Sequence, residues 1–424
     1  MTKLIKTSLF LFLFLFSSQV HAETIQLWTA GHTLAAIGTA AATNYFMNVM
    51  SSSGQNTTEA NRRSVAPSAG TVLRMKATLT TAPDNGANSQ TVTFAMRING
   101  STTSTTCTIT ETETSCESNT TSTYTAGQAL AVIQTAANTP AASNFYVWIW
   151  AVDDTNNKTI YSGSTESSLM SASATGYGSF AASNGGGSTT ENVVQAPMPF
   201  AGTVVALYVL LDGSPDLGAG TQSYTFKIYI GGAGSTSTCA ISETATTCND
   251  TTNQPTFTAG QTLSWEVIPA GTPTARRVAI SIAVTNTVGG FAFIGGINGA
   301  TSLGASTLYH PIHGPFSWNA TETNRQQGIS QVQLWALYVD MFTAPDNGAG
   351  TQTYTWTVRD DVAATNCSCV VSEAETTCND TCTDDVIVDS KMTLENVPAS
   401  TPTASGGFAG VWAFINPRDF FMVN

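Results

Sequence analysis

Leu73-Arg74-Met75-Lys76-Ala77-Thr78-Leu79 leads into Ala82-Pro83-Asp84-Asn85-Gly86-Ala87, and Val92-Thr93-Phe94-Ala95-Met96-Arg97-Ile98 follows. Before the turn, Leu73, Met75, Ala77 and Leu79 alternate with Arg74, Lys76 and Thr78. After it, Val92, Phe94, Met96 and Ile98 recur at every second position. A period of two turns one face of each segment to a core and the other to solvent, the pattern of a half-buried β-strand. Asn85-Gly86 supplies the positive φ that a tight reversal needs.

The same grammar is written three times. Ser214-Pro215-Asp216-Leu217-Gly218-Ala219 and Ala344-Pro345-Asp346-Asn347-Gly348-Ala349 repeat the turn. Val205 to Leu211 and Tyr224 to Ile230 repeat the flanking alternation, as do Tyr354, Trp356 and Val358. Each proline is followed 24 residues later by a cysteine (Cys107, Cys239, Cys369), and each of these nine later by another (Cys116, Cys248, Cys378). Tyr45, Tyr177 and Tyr309 are spaced alike upstream, with Glu59, Glu191 and Glu322 behind them. Thr139-Pro140, Thr272-Pro273 and Thr401-Pro402 match downstream. A repeat of roughly 130 residues is domain-sized, well above the ~20–50 residues of solenoid repeats. No segment carries a convincing amphipathic helix. The reading is all-β: three tandem jelly-roll-like β-sandwich domains at 23–155, 156–287 and 288–424, after a leader at 1–22.

Composition bounds the function. Of 424 residues only 10% are charged, against ~25% in a usual soluble protein. Hydrophobic residues are 42%, enough for packed cores and too many for wholesale disorder. The net charge of −13 excludes the basic footprint of a nucleic-acid binder and disfavours docking on anionic lipid. Lys3 and Lys6, the Leu/Phe run from Leu9 to Phe16, and Val20-His21-Ala22 read as a secretory leader cleaved after Ala22. Cleavage removes two lysines and no acid, leaving 13 basic against 28 acidic residues, a charge of −15. No later stretch is long enough for a transmembrane span. The expected location is secreted, extracellular or cell-surface, with the periplasm as the other exported compartment.

Export makes disulfides the natural use of the eight cysteines. Cys-x8-Cys leaves room for two short strands and a reversal, so a hairpin linking Cys107–Cys116, Cys239–Cys248 and Cys369–Cys378 is expected. Cys367 and Cys382, two before and four after the third pair, suit a nested bridge. Zinc would need closer ligand spacing and neighbouring histidines.

Candidate chemistry is sparse. Beyond the leader the histidines are His32, His310 and His313, and none recurs between copies. Tyr309-His310-Pro311-Ile312-His313 spaces two rings for a metal, but the plainer reading is a surface loop, and no metal or other cofactor is assigned. Glu59, Glu191, Glu322, Glu111, Glu243, Glu373, Asp84, Asp216 and Asp346 all recur. Paired carboxylates serve glycoside hydrolysis and clustered oxygens bind calcium. Recurrence in all copies is more simply a matter of turns and folding, with the glutamates between cysteines near a hairpin tip. Trp148 and Trp150 share a face, either as a shelf for a sugar ring or as packing between domains. Asn56, Asn119, Asn249 and Asn379 begin glycosylation sequons.

Pro199 to Val204, Tyr224 to Gly232, Ala259-Gly260-Gln261-Thr262-Leu263 and the closing strand Val278 to Val284 resemble, in that order, the jelly-roll domains of the C1q/TNF-like group. In the third copy Gln331-Val332-Gln333 and Asp389-Ser390-Lys391 depart from the pattern. The resemblance implies binding heads that usually form trimers, so three copies in one chain would imitate such a trimer. The expectation is an exported, non-enzymatic structural or adhesion protein with a glycan or protein ligand. The alternatives are a self-assembling filament subunit and a carbohydrate-active enzyme using the repeated carboxylates.

Overall fold

The computed structural model describes residues 25–415, except 51–54, 87–88, 155–157, 181–186, 217, 219–220, 287–288, 298–302, 315–317, 330–331, 349–350, 383–384 and 387–389. The leader expected at 1–22 lies outside the described residues. Thirty strands and three short 3-10 turns make up the regular structure described.

The strands fall into three sets of ten, here called units. The first holds β1 (Gln26–Ala36), β2 (Asn44–Met47), β3 (Ser64–Val65), β4 (Gly70–Leu79), β5 (Thr91–Ile98), β6 (Ser101–Thr110), β7 (Ser115–Ser118), β8 (Ser122–Tyr124), β9 (Ala129–Ala137) and β10 (Asn144–Asp153). The second holds β11 (Lys158–Ser164), β12 (Gly176–Ser179), β13 (Ala196–Pro197), β14 (Gly202–Leu211), β15 (Ser223–Ile230), β16 (Ala233–Ser242), β17 (Thr247–Asp250), β18 (Thr256–Phe257), β19 (Thr262–Ala270) and β20 (Val278–Asn286). The third holds β21 (Phe291–Ile297), β22 (Leu308–Pro311), β23 (Gln327–Ile329), β24 (Val332–Met341), β25 (Thr353–Asp360), β26 (Ala363–Ser372), β27 (Thr377–Thr381), β28 (Asp385–Val386), β29 (Ser390–Ala399) and β30 (Gly407–Phe414).

Each unit is two five-stranded antiparallel sheets. In the first unit one sheet runs β1-β10-β4-β7 with β8 also on β4, and the other runs β2-β9-β5-β6 with β3 on β9. The other two units repeat this order strand for strand. Consecutive strands such as β4 and β5 lie in opposite sheets, a Greek-key winding that closes a sandwich over one core. In the first unit that core holds Met75, Ala77 and Leu79 from one sheet and Val92, Phe94 and Met96 from the other, which is the face that the period of two selected. A bulge at Leu73, Val205 and Trp335 breaks the register of β4, β14 and β24 at equivalent points.

One expectation fails in an informative way. The closing strands β10, β20 and β30 have no solvent face: nearly every residue in them is buried. The outer side of their sheet is covered by the neighbouring unit. Strand β3 packs on β11, β14 and β20; β13 packs on β24 and β30; β23 packs on β10. The same element of each unit thus meets the same sheet of the next, and the third step returns to the first unit. A head-to-tail contact that closes after three steps is a ring with a pseudo-threefold axis.

The axis is marked by β1, β11 and β21. Gln26, Thr159 and Phe291 pair with Ala151, Val284 and Ala413, which pair in turn with Val72, Val204 and Leu334. These are therefore equivalent positions. Together with their neighbours Leu27, Ile160 and Ala292 they line a single cavity of ≈ 20 Å³, room for one water. Gln26 Oε1 accepts the Ile160 N–H at 2.8 Å, and Tyr161 Oη accepts the Ala292 N–H at 3.0 Å.

Candidate functional site

The recurring glutamates share one location. Glu59, Glu191 and Glu322 each open a 3-10 turn that precedes β3, β13 or β23. In the third unit, Arg359 on β25 bridges two carboxylates: its Nε donates to Glu322 Oε1 at 2.9 Å and its Nη1 to Glu395 Oε2 at 3.1 Å. The guanidinium lies 5.8 Å from the centre of the Tyr309 ring. Burial opposes the charge on Arg359, but the two carboxylates outweigh it and raise the pKa. In the first unit Arg97 repeats the motif, bonding Glu59 Oε2 at 2.9 Å and lying 5.4 Å over Phe46. Arg63 adds a second contact to Glu59 at 3.5 Å.

The second unit keeps the carboxylates and loses the cation. Arg97, Tyr229 and Arg359 are equivalent, pairing with Ala131, Ser264 and Thr393. Glu191 accepts from Gln195 and Ser264, both at 2.5 Å. Glu266 Oε1 accepts from the hydroxyls of Tyr177 and Tyr229, both at 3.1 Å. Burial, then the charge of Glu266, pushes both tyrosine pKa values up.

Register also corrects the tyrosine marker. Phe46, Tyr177 and Tyr309 pair with Ile133, Glu266 and Glu395, so Phe46, not Tyr45, is the first unit's counterpart. Tyr45 pairs with Gln134 and points to the opposite face.

The other repeated carboxylates build one end of each unit. Asp84, Asp216 and Asp346 each accept the N–H of the glycine two residues on. Their own N–H groups donate to the carbonyls of Glu111, Glu243 and Glu373. Those glutamates take φ values of 40°, 50° and 46°, so they are corner residues. The Thr-Pro segments join the same end, where Ala141, Thr274 and Thr403 donate to the carbonyls of Pro83, Pro215 and Pro345.

The cysteines are paired as Cys107–Cys116, Cys239–Cys248, Cys369–Cys378 and Cys367–Cys382, with Cα separations of 4.8 to 5.8 Å. The hairpin is corrected. Strand β6 pairs with β5 in one sheet and β7 pairs with β4 in the other. Each Cys-x8-Cys therefore crosses the sandwich edge and links its two sheets.

The histidine loop is not on the surface. His310 is fully buried against Trp318, their ring centres 5.0 Å apart. His313 Nε2 donates to Met50 O at 2.9 Å and its Nδ1 accepts the Ile294 N–H at 3.3 Å, so its partners assign a neutral ring that joins the third unit to the first. His32 lies on β1, and its side chain is outside the described residues. Trp148 and Trp150, each 2% exposed, form no open shelf; Trp148 donates its indole N–H to Gly328 O of the third unit. Among the described residues no helix is long and apolar enough to cross a membrane. Neither protein-family models nor curated proteins offer a match to this chain.

Proposed function

We propose that the chain is an exported, non-enzymatic structural or adhesion protein that presents three β-sandwich units as one multivalent head. The carrying observation is the head-to-tail closure, which holds three equivalent outer faces in fixed relation. Linked sites at fixed spacing raise avidity without new contacts. Disulfides across each sandwich edge suit an oxidising compartment outside the cytoplasm. The repeated aspartates are engaged in turns, and Glu59 and Glu322 are neutralised by arginines, which favours structural over catalytic use.

A glycan array and a polysaccharide-degradation assay on the purified chain test the reading. Binding without turnover is expected. Turnover that disappears in Glu191→Gln/Glu266→Gln would overturn it in favour of a carbohydrate-active enzyme. A filament reading has its own support. Strands β6, β16 and β26 end their sheets, and on β26 Val370 is 46% exposed, with Val397 beyond Thr355 in the same cross-strand row. Ordered fibres of purified protein under the electron microscope would favour it.

A further inference from the structure

Two seams of the ring are tied by the chain itself, and the third is held by packing alone. Strand β10 ends five residues before β11 begins, and β20 five before β21. The third unit meets the first without such a link, through β23 against β10 and the Glu322–Asn324 turn against β1. His313 stands at that seam. Its Nε2 donates to the Met50 carbonyl of the first unit at 2.9 Å, its Nδ1 accepts the Ile294 N–H at 3.3 Å, and its own backbone N–H donates to Gln327. It also lines the cavity on the pseudo-threefold axis, beside Leu27, Trp28, Met50, Ile160 and Phe291. The fold does not require an imidazole there. Phe46 and Tyr309 are equivalent, and each bridges an asparagine ten residues on, Asn56 or Asn319. Four residues after each, Met50 and His313 hold the same place in their units. One copy fills it with an apolar side chain, the other with a base.

We infer that His313 is an acid-operated latch: its protonation opens the seam between the third unit and the first, and the ring becomes a string of three units. The latch presupposes the closed head proposed above. A neutral ring satisfies both of its partners. An imidazolium carries two N–H groups and no acceptor, so the Ile294 N–H would face another donor in a buried site. Opening returns the charged ring to solvent. Burial lowers the His313 pKa, so the closed form resists the proton that the open form accepts. One proton coupled to opening shifts the open-to-closed ratio by up to about tenfold per pH unit below 6.5. Among the described residues lining the cavity, the other titratable side chain is Tyr161, whose hydroxyl accepts the Ala292 N–H. On the elements packed around it, Lys158 faces Asp153 at 3.9 Å, His310 lies against Trp318, Glu322 is held by Arg359, and Arg325 donates to the Asn324 carbonyl. His32 lies on β1, its side chain outside the described residues. The other seams direct the opening to this one. Glu191 of the second unit and Asp340 of the third bring two carboxylates to the middle seam, where acid relieves their repulsion. The first seam carries the Arg62–Glu166 ion pair at 3.3 Å.

The test is small-angle scattering of the purified protein at pH 7.5 and 5.0, with a nuclear magnetic resonance titration of its histidine rings. The radius of gyration should be about 22 Å at pH 7.5 and rise reversibly by at least ~3 Å at pH 5.0. One histidine should titrate below 6.5 with the midpoint of that rise. His313→Gln keeps a donor and an acceptor without a titrating ring, and His313→Met copies the first unit; both should hold the pH 7.5 radius at pH 5.0. The ring titration of the unaltered chain decides the matter even where a variant fails to fold. A radius unchanged at pH 5.0, a rise that persists in both variants, or a rise with no histidine titrating at its midpoint would each overturn the latch. A radius of about 30 Å already at pH 7.5 would contradict the closed ring itself.

Discussion

Half-buried Asp340 and buried His313 give the molecule opposite responses to acid. Burial, reinforced by the charge of Glu191, pushes the Asp340 carboxyl up to about 6. Above that pH the folded state holds a charge it disfavours; between the ordinary value of 3.8 and about 6 it takes up a proton that the unfolded chain does not. Asp340 therefore contributes stability that grows as pH falls through 6. Asp340→Asn should stabilise the protein by about 1–3 kcal/mol at pH 7.5, since one pKa unit is ~1.4 kcal/mol, and by little near pH 4. Denaturant melts at the two pH values check this; an equal gain at both would contradict it. His313 has the other sign. Burial lowers its pKa, so below its ordinary value of 6.5 the unfolded chain gains a proton that the folded chain refuses. Its contribution is lost as pH falls below 6.5, and His313→Gln should flatten that loss in melts between pH 7.5 and 5. Neither role was visible in the sequence. Asp340 and Glu191 are 149 residues apart, and so distant a pair leaves no local pattern. The slip from Tyr45 to Phe46 was hidden for a different reason: identity of residue type suggested a register that only the ladder decides.

At the scale of elements, the repeated cysteine spacing gave the pairs but not the path between them. Two short strands around a reversal look alike whether they pair with each other or part to opposite sheets. Because the bridge spans the sandwich edge, its loss frees β6 and β7 from one another. Cys107→Ser/Cys116→Ser should cost roughly 2–3 kcal/mol by loop-closure reasoning, read from urea midpoints against the wild type. No change in midpoint would mean that the edge is held by its hydrogen bonds alone. The closing strands were legible in retrospect. Asn144 to Asp153 reads Phe-Tyr-Val-Trp-Ile-Trp-Ala-Val through its middle, an unbroken apolar run of the kind that marks burial on both faces. The seam against it is matched by size. Gly328 stands where a Cβ would overlap the Trp148 ring, and Gly410 stands where a Cβ would overlap the Pro197 carbonyl. Large against small at one seam and the reverse at another keep the seams from being interchanged. Gly328→Val should destabilise by about 1–3 kcal/mol through overpacking, while Gly304→Val, at a position with open space, should be nearly silent in the same melts.

For the whole molecule, the low charge and the triple repeat have one explanation. Thr- and Ser-faced strands build three sandwiches, and the apolar outer faces that a separate sandwich would have to expose are buried by the next copy in line. The strand alternation, the turns and the unit length could all be read from the chain. Closure could not, because its contacts join segments more than ninety residues apart whose main sequence trace is excess hydrophobicity in β10, β20 and β30. Small-angle X-ray scattering of the purified protein tests closure most directly. A closed ring of ~400 residues should have a radius of gyration of about 22 Å, as for one compact body. A string of three ~130-residue beads would give about 30 Å or more, and that value would contradict the account.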